Sequence, residues 1–175
     1  MITFLINCGM RVSELVGLNL SDLRKKEKTL RLLGKGNKER IIYVNEACLQ
    51  AMEAYEPVRT KILSDRHRTN EQALFLSERG SRITARRVEQ ILEKYLAAAG
   101  LAGRGYSPHK LRHTAATLMY QYGGADVRVL KEILGHENLS TTEIYTHVSS
   151  KQIEQAIDSS PLARVHPPKS QDKPE

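Results

Sequence analysis

The sequence has little that would brace a chain covalently or seat it in a membrane. Its two cysteines, Cys8 and Cys48, stand far apart with no CxxC spacing, which argues against a disulfide framework and a thiolate zinc site. No apolar run approaches the roughly 18 residues of a membrane span, and no basic–apolar–small cleavage pattern opens the chain. A reducing cytoplasm and no membrane partner are therefore expected. Internal repeats are missing too, as is any tight Asp/Glu cluster of the kind that holds paired magnesium ions.

What the chain has in excess is positive charge. It carries 27 Lys+Arg against 20 Asp+Glu, a formal net charge of +7, and a pI near 9.5. That balance favours a polyanionic partner, nucleic acid before an anionic membrane surface. A merely soluble basic domain stays open on charge alone. At 175 residues there is one domain's worth of chain, enough for a hydrophobic core. The opening "MITFLINCGM" starts inside an apolar run without a helix cap, which reads as a chain whose upstream part is missing.

Periodicity gives a mostly helical α+β chain with a small antiparallel sheet. "RVSELVGLNLSDL" has Val12, Leu15 and Val16 at helical spacing, after a break at Gly9. "KTLRLLGKGNKERIIYV" predicts a hairpin whose glycine-rich connection presents Lys35 at its tip. Residues 46 to about 66 are helical in composition, and "RHRTNEQ" is a polar loop. "ALFLSERGSRIT" suggests a short strand and turn. It leads to a helix with Val88, Ile91, Leu92, Tyr95, Leu96 and Ala99 on one face, closed by Gly100. Ser107 and Pro108 then start a helix with Leu111, Ala115, Leu118, Met119 and Tyr122 as its buried stripe. Asp126 caps another helix that stops at Gly135-His136, and Ser140 with Glu143 forms a capping box ahead of Tyr145. A last helix covers roughly 150–158. One domain is expected over 1–160, with a flexible Pro-rich tail over 161–175.

Several residues carry chemistry. His109 and Arg112 share a helix face at i, i+3, pointing away from Leu111 and Ala115, so the pair is expected on the exposed side of the helix's first turn. Dipole and free N–H groups there favour a phosphate. His109 and His113 at i, i+4 would suit a metal, but no Glu lies between them and Arg112 would repel a cation, so no metal or cofactor is expected. A solvated charge cluster fits the same residues. Taken singly, Arg11 with Glu14 reads as a surface ion pair, Lys35 as a loop lysine, His136 as a helix-end partner and Tyr145 as a core or interface tyrosine. Together they fit one job. Arginine forks hold phosphate oxygens, histidine and lysine move protons, and a tyrosine oxygen can attack.

In this order, "GMRVSELVGL", "GKGNKER", "SPHKLRHTAAT" and "LGHENLSTTEIYTHV" span residues 9–148. They resemble the catalytic domain of the tyrosine recombinases (phage integrase family), above all its Xer-like and transposon-integrase members. The resemblance implies the DNA breaking-rejoining fold and a site-specific recombinase or integrase working through a 3′-phosphotyrosyl intermediate without metal or ATP. Arg11 and Arg112 would clamp the scissile phosphate, and Lys35 would protonate the leaving 5′ oxygen. His109 would assist proton transfer at the nucleophile. His136 would bond the phosphate or position Tyr145, the nucleophile. Glu14 would orient the site. On this resemblance, residues 1–160 are expected to be the C-terminal catalytic domain, with the family's N-terminal core-binding domain absent from them.

The implied partner is double-stranded DNA, with a homotetramer on DNA and a monomer in isolation. Residues 150–162 match the segment that in the family docks on a neighbouring protomer. Two alternatives are a type IB topoisomerase-like enzyme and a helix-turn-helix regulator built on "TLMYQYGGADVRVLKEILGH". A regulator would have no use for Arg11, Lys35 and Tyr145. Arg86 and Arg87, at a helix start, are either DNA contacts or a solvated face.

Overall fold

The apolar run that opens the sequence lies at the centre of the fold. A computed structural model describes residues 1–68, 70–135 and 150–163. In it Ile2–Cys8 forms helix α1, with Phe4, Leu5 and Cys8 fully buried. Gly9 ends this helix in the left-handed region at φ 60°, where a side chain is disfavoured. A Cβ there would also stand 2.8 Å from the Leu134 side chain. Helix α2 (Val12–Gly17) follows at once.

Next comes a three-stranded antiparallel sheet in the order β1 (Leu23–Arg24), β2 (Thr29–Leu33), β3 (Glu39–Tyr43). Strands β2 and β3 pair from Thr29↔Tyr43 to Leu33↔Glu39, which is the expected hairpin. Leu30, Leu32 and Ile42 turn one face into the core, as the two-residue period requires. The connection is a single 3₁₀ turn, Lys35–Asn37, made possible by Gly36 at φ 74°.

Four longer helices follow, each started by its own cap. Asn45 accepts from the Cys48 N–H at the start of α3 (Glu46–Asp65), and Thr84 from the Arg87 N–H at the start of α4 (Ala85–Ala98). Ser107 accepts from the Lys110 N–H to start α5 (Pro108–Gly123). Asp126 accepts from the Arg128 and Val129 N–H groups to start α6 (Val127–Leu134), which ends at Gly135 with φ 63°. Helix α7 (Ser150–Asp158) comes last.

One core gathers α1 with Leu15, Leu30, Ile42, Met52, Phe75, Val88 and Leu92. A second joins α5, α6 and α7 through Met119, Val129, Ile133, Ile153, Ala156 and Ile157. In this structure α7 therefore docks on its own chain. Gly123 lets α5 and α7 touch backbone to backbone, since a Cβ there would stand 2.6 Å from the Ala156 carbonyl oxygen. The Tyr43 hydroxyl bonds Glu154 of α7, and its pKa is pushed up to about 12 by burial and then by that carboxylate.

Four expectations need correction. "ALFLSERGSRIT" forms no strand, only the bridges Asn19↔Ala73 and Leu76↔Arg82, because the chain turns back at once through Ser77 and Ser81. On α4 only Val88 and Leu92 are buried. Tyr95 and Ala99 are exposed because the second half of the helix runs out past the core. On α5, Leu118 is half-buried and Tyr122 exposed, and the inward positions are Leu111, Arg112, Ala115 and Met119. Residues 161–163, expected as the start of a tail, are seated: Ala163 is buried and its carbonyl accepts from the Ala47 N–H at 3.0 Å. Residues 164–175 lie outside the described residues. No helix among the described residues is long and apolar enough to cross a membrane.

Candidate active site

Glu14 organises the site. It sits one turn into α2, and its Oε2 accepts from the Arg11 N–H at 2.7 Å, which caps the helix. The carboxylate is buried, so its remaining lone pairs need donors. Oε1 accepts from Arg11 Nη1 at 3.0 Å and Arg40 Nη1 at 2.7 Å, and Oε2 from Arg40 Nη2 at 2.9 Å. Arg112 Nη1 stands 4.0 Å from Oε2. Burial by itself raises the Glu14 pKa. The Arg40 and Arg11 hydrogen bonds and the Arg40 charge together outweigh it, so the carboxyl is held below its ordinary value.

Arg112 does not lie where helical periodicity puts it. Only His109 of the expected pair is exposed; Arg112 is buried. Its Nη1 donates to the Gly9 carbonyl at 2.7 Å and its Nη2 to the Leu134 carbonyl at 2.6 Å. The reason is geometric. The ends of α1 and α6 both face this turn of α5, and their last carbonyls lack partners within their own helices. A guanidinium can be buried when such acceptors fill its fork. Burial, and then the charge of Arg11, lower the Arg112 pKa to about 10 against the opposing pull of Glu14, so it stays charged at neutral pH.

Arg11 is the open member of the group. Its side chain is 38% exposed against 7% for Arg112, and its Nη2 makes only a long 3.3 Å bond to the Gly135 carbonyl. Three guanidinium groups thus share one carboxylate, which leaves an excess of positive charge with an outlet to solvent at Arg11.

Arg11, Glu14 and Arg112 are brought together, and His109 lies one turn before Arg112 on α5. The backbone puts Lys35 in the hairpin turn, as expected, while its side chain falls outside what the structure describes. His136 and Tyr145, with the expected capping box of Ser140 and Glu143, lie outside the described residues. His113 is exposed.

Arg40 was not anticipated. The signal was available in the strand pattern: Arg40 pairs with Leu32 and shares its face with Ile42, so a charged residue occupies an inward strand position.

Residues 1–152 match the family described as "Phage integrase family". A tyrosine recombinase XerC of Caldanaerobacter subterraneus subsp. tengcongensis is 51% identical over 93% of this chain and 44% of its own length. A XerC of Corynebacterium glutamicum is 44% identical over 91% of this chain and 47% of its own. The chain thus spans about half the length of the curated relatives it matches. Among solved structures, XerA recombinase superposes with a TM-score of 0.69 at 33% identity, covering 87% of this chain and 54% of that one. XerH site-specific recombinase, solved with its difH substrate in a pre-cleavage complex, gives 0.61 at 26%, covering 89% and 40%.

Proposed function

The chain belongs to the phage integrase family, and from that premise we propose that it is the catalytic part of a site-specific recombinase that cuts and rejoins double-stranded DNA in the cytoplasm. The observation that carries this reading is the Glu14 cluster, which joins two candidate phosphate-binding arginines around one carboxylate and leaves positive charge unspent. A bound phosphodiester would supply the missing anion. The Arg11 side chain is partly open to solvent, and the buried Arg112 adds charge from a site that excludes water, where charge acts most strongly on a transition state.

In the proposed reaction the Tyr145 hydroxyl oxygen attacks the scissile phosphorus. A P–O bond to tyrosine forms as the bond to the 5′ oxygen breaks. Lys35 gives its proton to the leaving 5′ oxygen, and His109 helps take the proton from tyrosine. Arg11 and Arg112 hold the non-bridging oxygens, while His136 bonds the phosphate or positions Tyr145. Because the phosphotyrosine keeps the energy of the cleaved bond, attack by a new 5′ hydroxyl reverses the step. A tetramer on DNA, formed from monomers, would exchange strands between two sites. The relatives' names favour this reading over a helix-turn-helix regulator or a type IB topoisomerase-like enzyme.

The test is incubation with a nicked DNA half-site, followed by denaturing electrophoresis. A covalent protein–DNA adduct that disappears in Tyr145→Phe and persists in EDTA is expected. An adduct of undiminished yield in that variant would refute the nucleophile, and loss of the adduct in EDTA would refute a metal-free reaction. Lys35→Ala should cleave slowly and recover when the 5′ leaving atom is sulfur, which needs no proton. Failure to recover would exclude Lys35 as the acid.

A further inference from the structure

Three consecutive carbonyls close α6, and a different arginine takes each. Arg40 Nε reaches from β3 to the Ile133 carbonyl at 3.0 Å, Arg112 Nη2 from α5 to Leu134 at 2.6 Å, and Arg11 Nη2 from the start of α2 to Gly135 at 3.3 Å. Such carbonyls have no helical partner and carry the negative end of the helix dipole, so cations suit them. Arg40 differs from the other two in having no part in the proposed phosphate clamp. Its fork grips both oxygens of Glu14, at 2.7 and 2.9 Å, while its Nε holds the end of α6.

We propose that Arg40 is a positioning residue for the phosphate clamp: by satisfying Glu14 and tying it to the end of α6, it keeps the charge of Arg11 and Arg112 from being spent on Glu14 and so available to an anion. This rests on the phosphate-clamp reading given above. Glu14 Oε1 is shared between Arg40 and Arg11. Without Arg40, a buried carboxylate loses two of its donors and must find others. The cations at hand are Arg11 and, at 4.0 Å, Arg112. Glu14 would draw Arg112 off the Gly9 carbonyl and hold Arg11 as an ion pair, spending on itself the charge meant for phosphate. Lysine cannot replace Arg40, because one nitrogen cannot grip two oxygens and also reach a carbonyl in a fixed plane. The seat is closely fitted: a Cβ on Gly135 would stand 3.0 Å from Arg40 Nη1.

The experiment compares the parent chain with Arg40→Lys and Arg40→Gln on nicked half-sites. One substrate has an ordinary scissile phosphodiester, and the other a methylphosphonate whose lost charge lessens the need for a cationic clamp. Melting curves check folding, and Arg40→Lys, which keeps charge and stem, carries the test should Arg40→Gln not fold. Both variants should bind DNA with parent affinity and cut the phosphodiester roughly ten- to a hundredfold more slowly. Most of that deficit should vanish on the methylphosphonate. Arg40→Lys cutting at the parent rate, or an equal deficit on both substrates, would overturn the proposal and leave the Tyr145 reading standing. Failure of the parent chain to form a Tyr145 adduct would overturn that reading and this one with it.

Discussion

Glu14 accepts hydrogen bonds from the Arg11 N–H, the Arg11 side chain and both ends of the Arg40 fork, so at the scale of the residue it concentrates stability at the proposed site. Replacing it by Gln keeps the shape, removes the charge and leaves buried guanidinium groups uncompensated. Breaking such a pair costs about 3–5 kcal/mol, and Glu14→Gln should lower the urea midpoint accordingly. An unchanged midpoint would mean that the arginines find other partners. The sign of the pH effect follows from the depressed pKa of the Glu14 carboxyl. Its contribution is complete above its ordinary value of 4.5 and is lost as pH falls through the lower folded-state value. Thermal melts in acid should therefore show a loss of stability that Glu14→Gln lacks. Gly9 is sensitive for another reason. Gly9→Ala meets both a left-handed φ, costing about 1–2 kcal/mol, and the Leu134 side chain at 2.8 Å. It should destabilise the fold and slow DNA cleavage together, because the Gly9 carbonyl holds Arg112.

At the scale of the element, the close approach of α5 and α7 makes a sharp prediction. Gly123→Ala would put a Cβ 2.6 Å from backbone oxygen, which no side-chain rotation relieves. Amide hydrogen exchange in α7 should speed up while α1 keeps its protection; equal protection of α7 in parent and variant would contradict its docking on its own chain. The helix starts were legible beforehand because Ser107 and Asp126 cap locally, within three residues of their donors. The hairpin was legible because its alternation and glycines are local as well. Arg112 departs from its periodic placement because its partners, Gly9 and Leu134, lie 103 and 22 positions away, and periodicity sees only the helix's own face. Arg40 escaped for the same reason: Glu14 is 26 residues distant. Spacing indicates which residue types share a turn. It does not indicate which carbonyls from other elements arrive to meet them.

For the whole molecule, the net charge of +7 bears on the proposed DNA binding through released counterions. Neutralising about three phosphates would lose roughly fortyfold in affinity for a fourfold rise in salt. A titration of duplex DNA at several salt concentrations measures this slope, and a flat response would contradict a phosphate-based interface. Family membership and fold rest on matches across most of the chain, whereas the proposed strand cleavage would draw on Arg11, Lys35, His109 and Arg112 together with His136 and Tyr145, which lie outside the described residues. The most direct measurement is to digest the covalent adduct formed on a half-site and locate the attached nucleotide by mass spectrometry. The expected result is a nucleotide joined through its 3′ phosphate to Tyr145, with a free 5′ hydroxyl on the released strand. Attachment to any other residue, or through a 5′ phosphate, would contradict it.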